Sequence, residues 1–425
     1  MSLNKELIDF IDRSPCSYFT VKNTKNLLDK VGFKEYKFSE KFSFKGGEKG
    51  YFIVNDSSII AFNIGNENIE EGGFKVIASH SDSPGFRIKS KSPIVDKGII
   101  KLNTEVYGGP IYSTWLDRVL SIAGRVIVRE NNPFKPKTLL INIDRDLLTI
   151  PNLAIHMNRE VNKGFAYDPQ KHLLPIISLD KKGNEKFLLD LLAEELEINK
   201  EEILDCDLYL YDRQKSSLIG KNEEMISAGR QDNLSMVYTS LRAFIDTEPM
   251  GVNVLLITDN EEVGSNSIQG ADSQIAENSF ERIALALGKN KEDYLRAVEN
   301  SFVISADMAH GLHPNFKETT DPTNIPLLGE GPVIKYSSNK AYTSDAYSAS
   351  VFMELCKEAG VKFQTFYNLS GKTGGTTIGP ITAKYFRARS VDVGNPLLAM
   401  HSVRELGSVK DNLSIYKVFK EFYKG

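Results

Sequence analysis

Two adjacent carboxylates, Glu261 and Glu262, stand just beyond a mostly apolar run, Val252 to Thr258, that ends at Asp259-Asn260. Paired acids at the carboxyl end of a buried strand repel each other and lose hydration, so a cation or a proton must offset the cost. The arrangement recurs. The run 74–79 leads into His80-Ser81-Asp82, and the run 301–306 leads into Asp307. Asp232, in Gly229-Arg230-Gln231-Asp232-Asn233, opens a helix-like stretch, and His401 lies near the C-terminus. On an extended segment the two-residue spacing of His80 and Asp82 turns both side chains to one face. That pair reads either as metal ligands or as a buried histidine held in one tautomer, and Arg230 and Arg404 offer the acids salt bridges instead. Acids and imidazoles gathered at strand ends suit a metal-dependent hydrolase of the open α/β type. Mixed imidazole and carboxylate donors favour two zinc ions, with cobalt or manganese as substitutes. A carboxylate can bridge two such ions, which clamp the attacking and leaving oxygens. Glu261, beside the metals but not needed as a ligand, can carry the proton of a bridging water to the leaving amine. Asp82 is placed either to hold the second nitrogen of a ligand imidazole or to bias the pKa of Glu261.

Those residues need a scaffold, and 425 residues exceed one ordinary core, so two domains are expected. From Asp232 onward, helices and strands alternate: helix 233–246, strand 252–258, helix 274–287, strand 301–306, helix 345–359 and strand 361–366. Strands at 50–53, 59–63 and 74–79 precede them, after helical spacing over 4–31 that Ser14-Pro15 interrupts. The alternation predicts an α/β fold, a central mixed sheet with helices on both faces. Residues 93–225 read differently, as strand-like pieces between Asn-, Pro- and Gly-rich turns with one charged helix over 186–200. His80 and Asp82 belong chemically with Asp232, yet about 150 residues separate them along the chain. The economical division is a discontinuous catalytic domain, 1–92 and 226–425, interrupted by an inserted β-rich domain, 93–225.

Composition excludes several classes. A formal charge of -4 gives no basic footprint for nucleic acid. No stretch approaches the length of an uncharged membrane span, and the N-terminus lacks a signal-peptide core. Three scattered cysteines, Cys16, Cys206 and Cys356, make no disulfide framework. The expectation is a cytoplasmic protein without nucleic-acid or membrane partners.

In order along the chain, six stretches resemble the M18 family, the aspartyl aminopeptidases: Ala78-Ser79-His80-Ser81-Asp82-Ser83-Pro84, Gly229 to Asn233, Asp259 to Ser265, Ser305 to Asn315, Gly375-Thr376-Thr377-Ile378-Gly379-Pro380 and Ala399 to Glu405. The resemblance covers essentially the whole chain. It implies a metalloaminopeptidase that hydrolyses the N-terminal residue from peptides with a two-zinc bridged hydroxide. His80, Asp232, Glu262, Asp307 and His401 would be the zinc ligands, with Asp232 as bridge and Glu261 as general base. It further implies that the insertion mediates dimerisation, that dimers assemble to a homododecamer, and that His156 reaches a neighbouring active site. Acid-selective members carry Lys-Gln-Arg-Tyr where this chain has Asn339-Lys340-Ala341-Tyr342, leaving Lys340 as the cation for a substrate side chain. Neutral N-terminal residues are therefore expected to be cleaved at least as well as acidic ones.

Three further segments have competing readings. Gly371 to Thr377 lacks phosphate-loop spacing, so Gly375 and Thr376 are expected to face substrate or shape a turn. His310 and His313 form an HxxH, but Gly311 and Pro314 argue against a helix through it, and the family resemblance implies substrate contact or oxyanion stabilisation rather than ligation. The charged 186–200 helix reads as a solvated face or, alternatively, as part of a subunit contact. The rival readings are an amidohydrolase acting on N-acyl amino acids or dipeptides, and a non-catalytic zinc-containing assembly.

Overall fold

The computed structural model describes residues 2–372 and 374–425; Thr373, within the Gly371 to Thr377 loop, lies outside the described residues. Contacts divide the chain into two units. The first comprises Met1–Asp82, Ser216–Met400 and Glu405–Gly425, and the second Ser83–Lys215 with His401–Arg404.

The first unit is α/β, built on a nine-stranded mixed sheet. Its spatial order is Lys34–Glu35, Lys49–Val54, Ser58–Ile64, Val252–Thr258, Phe74–His80, Phe302–Ala306, Arg389–Gly394, Val333–Tyr336 and Gln364–Tyr367. Side-chain alternation along the strands supplies two separate cores. Ile59, Ala61, Ile77, Leu255, Ile257 and Ile304 pack with the helices Leu3–Arg13, Gln231–Ile245, Ala346–Glu358 and Val409–Lys424. Their neighbours Ile60, Phe62, Val76, Ala78, Val254 and Leu256 pack with Ile275–Ala286 and Lys291–Glu299 on the other face. On that face Phe280 lies 5.3 Å from Phe74 and 4.7 Å from Phe386 between ring centroids, pairs worth about 0.5–1.5 kcal/mol each beyond their burial. The helical pattern over 4–31 divides at Ser14-Pro15 into Leu3–Arg13 and Ser17–Lys30.

The second unit is a six-stranded antiparallel sheet in the order Lys137–Asn142, Leu120–Val128, Ile203–Asp212, Gly85–Asp96, Ile99–Tyr107 and Ile176–Leu179. Its core gathers Phe86, Trp115, Ile122, Leu148, Leu192 and Leu208. The helix Phe187–Leu196 is not wholly a solvated face, because Leu188, Leu191 and Leu192 are buried in that core.

The unit boundaries differ from those read at 92/93 and 225/226. The strand Gly85–Asp96 runs through Pro93 and tolerates it at a register shift against Ile99–Tyr107, so the whole strand belongs to the second sheet. Met225–Ala228 pairs with Ser217–Ile219 and Glu405–Ser408, which carries the re-entry point back to Ser216. His401–Arg404 groups with the second unit rather than the first. Among the described residues, no helix is long and apolar enough to cross a membrane.

Candidate metal centre

Strand register brings the acids together. Phe74–His80 and Val252–Thr258 are parallel with His80 opposite Thr258, so both chains leave the sheet at the same edge. Phe302–Ala306 is parallel to Phe74–His80 with Ser305 opposite Ala78, which sets Asp307 level with His80. The Asp307 N–H donates to Val393 O at 2.9 Å. A Cβ on Gly394 would lie 1.8 Å from Asp307 O, so only glycine permits the backbone to come this close. Asp232 arrives through a turn in which Arg230 has φ +58 and donates to Ser14 O and Ile11 O. The Asp232 N–H donates to Glu405 Oε2 at 3.1 Å, and Asn233 Nδ2 donates to Ala306 O at 2.9 Å. After Thr258 the chain turns at Asn260, φ +64, into a short 3₁₀ turn, Glu261–Val263. Asp82 anchors that turn: the Glu261 and Glu262 N–H groups donate to its two carboxylate oxygens at 3.1 Å each.

His80 is almost fully buried at the centre of this group. Its Nδ1 faces Asp82 O at 3.2 Å and Asp82 Oδ1 at 3.4 Å, both acceptors, so Nδ1 carries the hydrogen. In the neutral ring, the Nε2 lone pair then points at Asp232 Oδ1, 3.6 Å away, and Asp307 Oδ1, 3.5 Å away, with Glu261 Oε2 at 4.0 Å. An acceptor aimed at anionic acceptors is tolerable only with a cation or a proton between them. Candidate ligand atoms of His80, Asp232 and Asp307 lie within 4.8 Å of one another, as do those of His80, Glu261 and Glu262. Imidazole nitrogen and carboxylate oxygen are the donors zinc accepts, so these residues fit a zinc centre.

Without a cation, the group holds protons instead. Burial alone pulls His80 toward the neutral form, but hydrogen bonds to Asp232, Asp307 and Asp82 outweigh it and raise its pKa well above the usual value. Burial first, then Asp307, Asp82 and Asp232, push the Glu261 carboxyl up to about 8 against the opposing pull of His80. Glu262 is raised for the same reasons, burial and Asp232 foremost. Asp259 is raised to about 7 by burial and by Asp82.

The structure thus gathers His80, Asp82, Asp232, Glu261, Glu262 and Asp307 at one sheet edge. His401 heads the segment assigned to the second unit, where its Nδ1 lies 3.1 Å from Gly109 O, fixing the lone pair on Nε2. His156 sits in an exposed 3₁₀ turn, Ile155–Met157. His310 ends a two-residue strand and His313 follows in a loop, accepting from Asn315 N–H; no helix runs through the HxxH. Both line a cavity of about 330 Å³ with Phe366, Asn368, Lys372 and Met400. Lys340 is exposed in a turn at φ +61, Gly375 is exposed, and Thr376 Oγ1 donates to Ala341 O.

Two contributors escaped sequence reasoning. Glu405 orients Asp232, and Lys335, in the strand Val333–Tyr336, donates to Asp307 Oδ2 at 2.9 Å. The signal for Lys335 was a lysine inside an otherwise apolar and aromatic strand.

Comparison with known proteins places this constellation in context. Residues 10–423 match the family model described as Aminopeptidase I zinc metalloprotease (M18). The chain is 48% identical over 422 residues to Probable M18 family aminopeptidase 2 of Clostridium novyi, covering 98% of each chain. Among solved structures, it aligns with a chain of the Ape4 and Nbr1 complex at TM-score 0.95 and 34% identity, covering 99% of this chain and 85% of that one. It aligns with the mApe1 dodecamer of Saccharomyces cerevisiae at TM-score 0.85 and 28% identity, covering 99% and 95%.

Proposed function

The chain belongs to the M18 family of zinc metalloproteases and is a zinc-dependent aminopeptidase, and from that premise we propose how its residues divide the work. His80, Asp232, Glu262, Asp307 and His401 would hold two zinc ions, with Asp232 the residue to serve both. The observation that carries this reading is the His80 lone pair directed at Asp232 and Asp307 where parallel strands end together. Zinc held there would supply an acidic water as nucleophile and a Lewis acid for the scissile carbonyl.

Glu261 takes the water's proton on its carboxylate and returns it to the departing amine. Its Oε2 is near the cluster, at 4.0 Å from His80 Nε2, while its backbone is clamped by Asp82. Asp82 keeps the His80 Nδ1–H engaged and fixes both glutamates, which leaves it an orienting role in the reaction. The cavity beside His310 and His313 receives the substrate's first side chain, with Gly375 and Thr376 contributing to the substrate-facing rim. Lys340, exposed and away from a buried position, supports a pocket without strong acid selection.

The deciding experiment is a panel of peptides beginning with Asp, Glu, Leu, Met, Ala or Lys, each with a free or an acetylated amine. Free-amine peptides should be cleaved and acetylated ones not, with Leu, Met or Ala at least equal to Asp and Glu in kcat/KM. Cleavage of the acetylated set would convert the reading to an amidohydrolase. A preference of about tenfold or more for acidic residues, roughly 1.4 kcal/mol, would overturn the neutral pocket.

Self-association follows from the likeness to a dodecameric relative. We place dimerisation on the inserted β-rich unit, where Met157 is 74% and Leu153 55% exposed on either side of His156. Dimers would assemble to a dodecamer, and His156 would serve a neighbouring site. Sedimentation should show an oligomer, and mixing His156→Ala with Glu261→Gln chains should regenerate activity. A fully active monomer would reject both.

A further inference from the structure

Lys335 is an ammonium with almost no access to water, its side chain 3% exposed, and no part of the reaction described above uses it. It donates to Asp307 Oδ2 at 2.9 Å and to Met308 O at 3.1 Å, and its Nζ stands 5.2 Å from the Tyr342 ring centroid. A lysine has three N–H bonds, and here a carboxylate, a carbonyl and an aromatic face surround them. The other oxygen of the same carboxylate, Asp307 Oδ1, faces His80 Nε2 at 3.5 Å.

We propose that Lys335 is a positioning residue that holds Asp307 with Oδ2 turned away from the metal, so that Asp307 can offer only Oδ1. This rests on the reading of Asp307 as a zinc ligand. A carboxylate free to rotate can bind one ion through both oxygens and occupy an extra coordination position. Lys335 blocks that by occupying Oδ2 with a charge-assisted hydrogen bond. The position thereby kept open is the one a catalytic zinc needs for water or substrate. The same contact draws charge from the carboxylate, making it a weaker donor and leaving the ion a stronger Lewis acid. Lysine suits the task because its compact ammonium satisfies the carboxylate and the Met308 carbonyl together. The Val333–Tyr336 strand supports the stem, with Val333 and Ile334 buried beside it. Tyr342 closes the remaining side and is itself buried.

The test compares Lys335→Met and Lys335→Arg with the parent protein after cobalt substitution. Lys335→Met should lower kcat about 10–100-fold with KM little changed. Its cobalt absorption should shift to the weaker bands of a higher-coordinate ion as Asp307 swings to bind with both oxygens. Lys335→Arg, which retains a cationic donor in a bulkier form, should give a spectrum nearer the parent's than that of Lys335→Met. An Lys335→Met spectrum identical to the parent's would overturn the proposal. Should Lys335→Met fail to fold, a zinc-loaded crystal structure of the parent decides. Asp307 bound through one oxygen with Lys335 on the other supports the proposal, and a two-oxygen chelate ends it. Asp307→Asn separates this claim from the one beneath it: undiminished zinc affinity there would show that Asp307 is not a ligand at all.

Discussion

If Glu261 is the general base, Glu261→Gln should lower kcat by about 10²–10⁴-fold, the usual cost of losing one, and leave zinc content near that of the parent protein. The amide keeps the shape of the side chain but cannot accept the water's proton. The backbone contact that fixes residue 261, its N–H donating to Asp82, does not involve the side chain and survives the substitution. Glu262→Gln should behave differently: with Glu262 as a ligand, an amide is a poorer zinc donor than a carboxylate and the first loss should be of metal. The two variants differ by one position in a single 3₁₀ turn, so nonspecific damage to that turn would affect both alike. Kinetics alongside metal analysis separates the roles. Equal metal loss in Glu261→Gln and Glu262→Gln would dissolve the distinction between base and ligand, and unchanged kcat in the first would remove Glu261 from the chemistry.

The part of the site that was legible in sequence is the part set by strand ends. Apolar runs that stop at an acid or a histidine mark where a parallel sheet releases its chains, and parallel register brings those ends level. Thus His80, Glu261, Glu262 and Asp307 were nameable from their positions beyond 74–79, 252–258 and 301–306. Lys335 was not, because Val333-Ile334-Lys335-Tyr336 also fits a strand with a solvated lysine. Only the fold shows that its inward face meets Asp307. Glu405 escaped for a similar reason: its contact with Asp232 joins residues 173 positions apart. The long helix Val409–Lys424 carries no chemistry-bearing motif, although Ile415, Val418, Phe419 and Phe422 follow helical spacing. Domain boundaries shifted by about ten residues at both crossings, because pairing rather than composition decides which sheet owns a strand. The family motifs carried what periodicity could not, above all His401, whose neighbours give no strand-end signal.

Removing the metal should produce two effects from one cause. Chelation should abolish peptide cleavage, and zinc, cobalt or manganese should restore it, since the residues alone offer no comparably acidic water. The second effect is on stability. In the metal-free protein the Glu261 carboxyl titrates at about 8 against an ordinary value of 4.5, so between those values the folded chain holds a proton that the unfolded chain releases. Stability therefore falls as pH rises through that window. Asp259, raised to about 7, acts in the same direction. So does His80, whose pKa is raised by its carboxylate neighbours and whose contribution is lost as pH climbs through the folded value. Bound zinc replaces these protons as the compensating charge and keeps the acids ionised, so the loaded protein should show a much flatter profile over the same range. Thermal unfolding of metal-free and zinc-loaded protein from about pH 5 to about pH 8 measures the difference directly. Parallel profiles would mean that the carboxylates are neutralised by something other than the metal, and full cleavage activity after complete chelation would end the two-zinc mechanism outright.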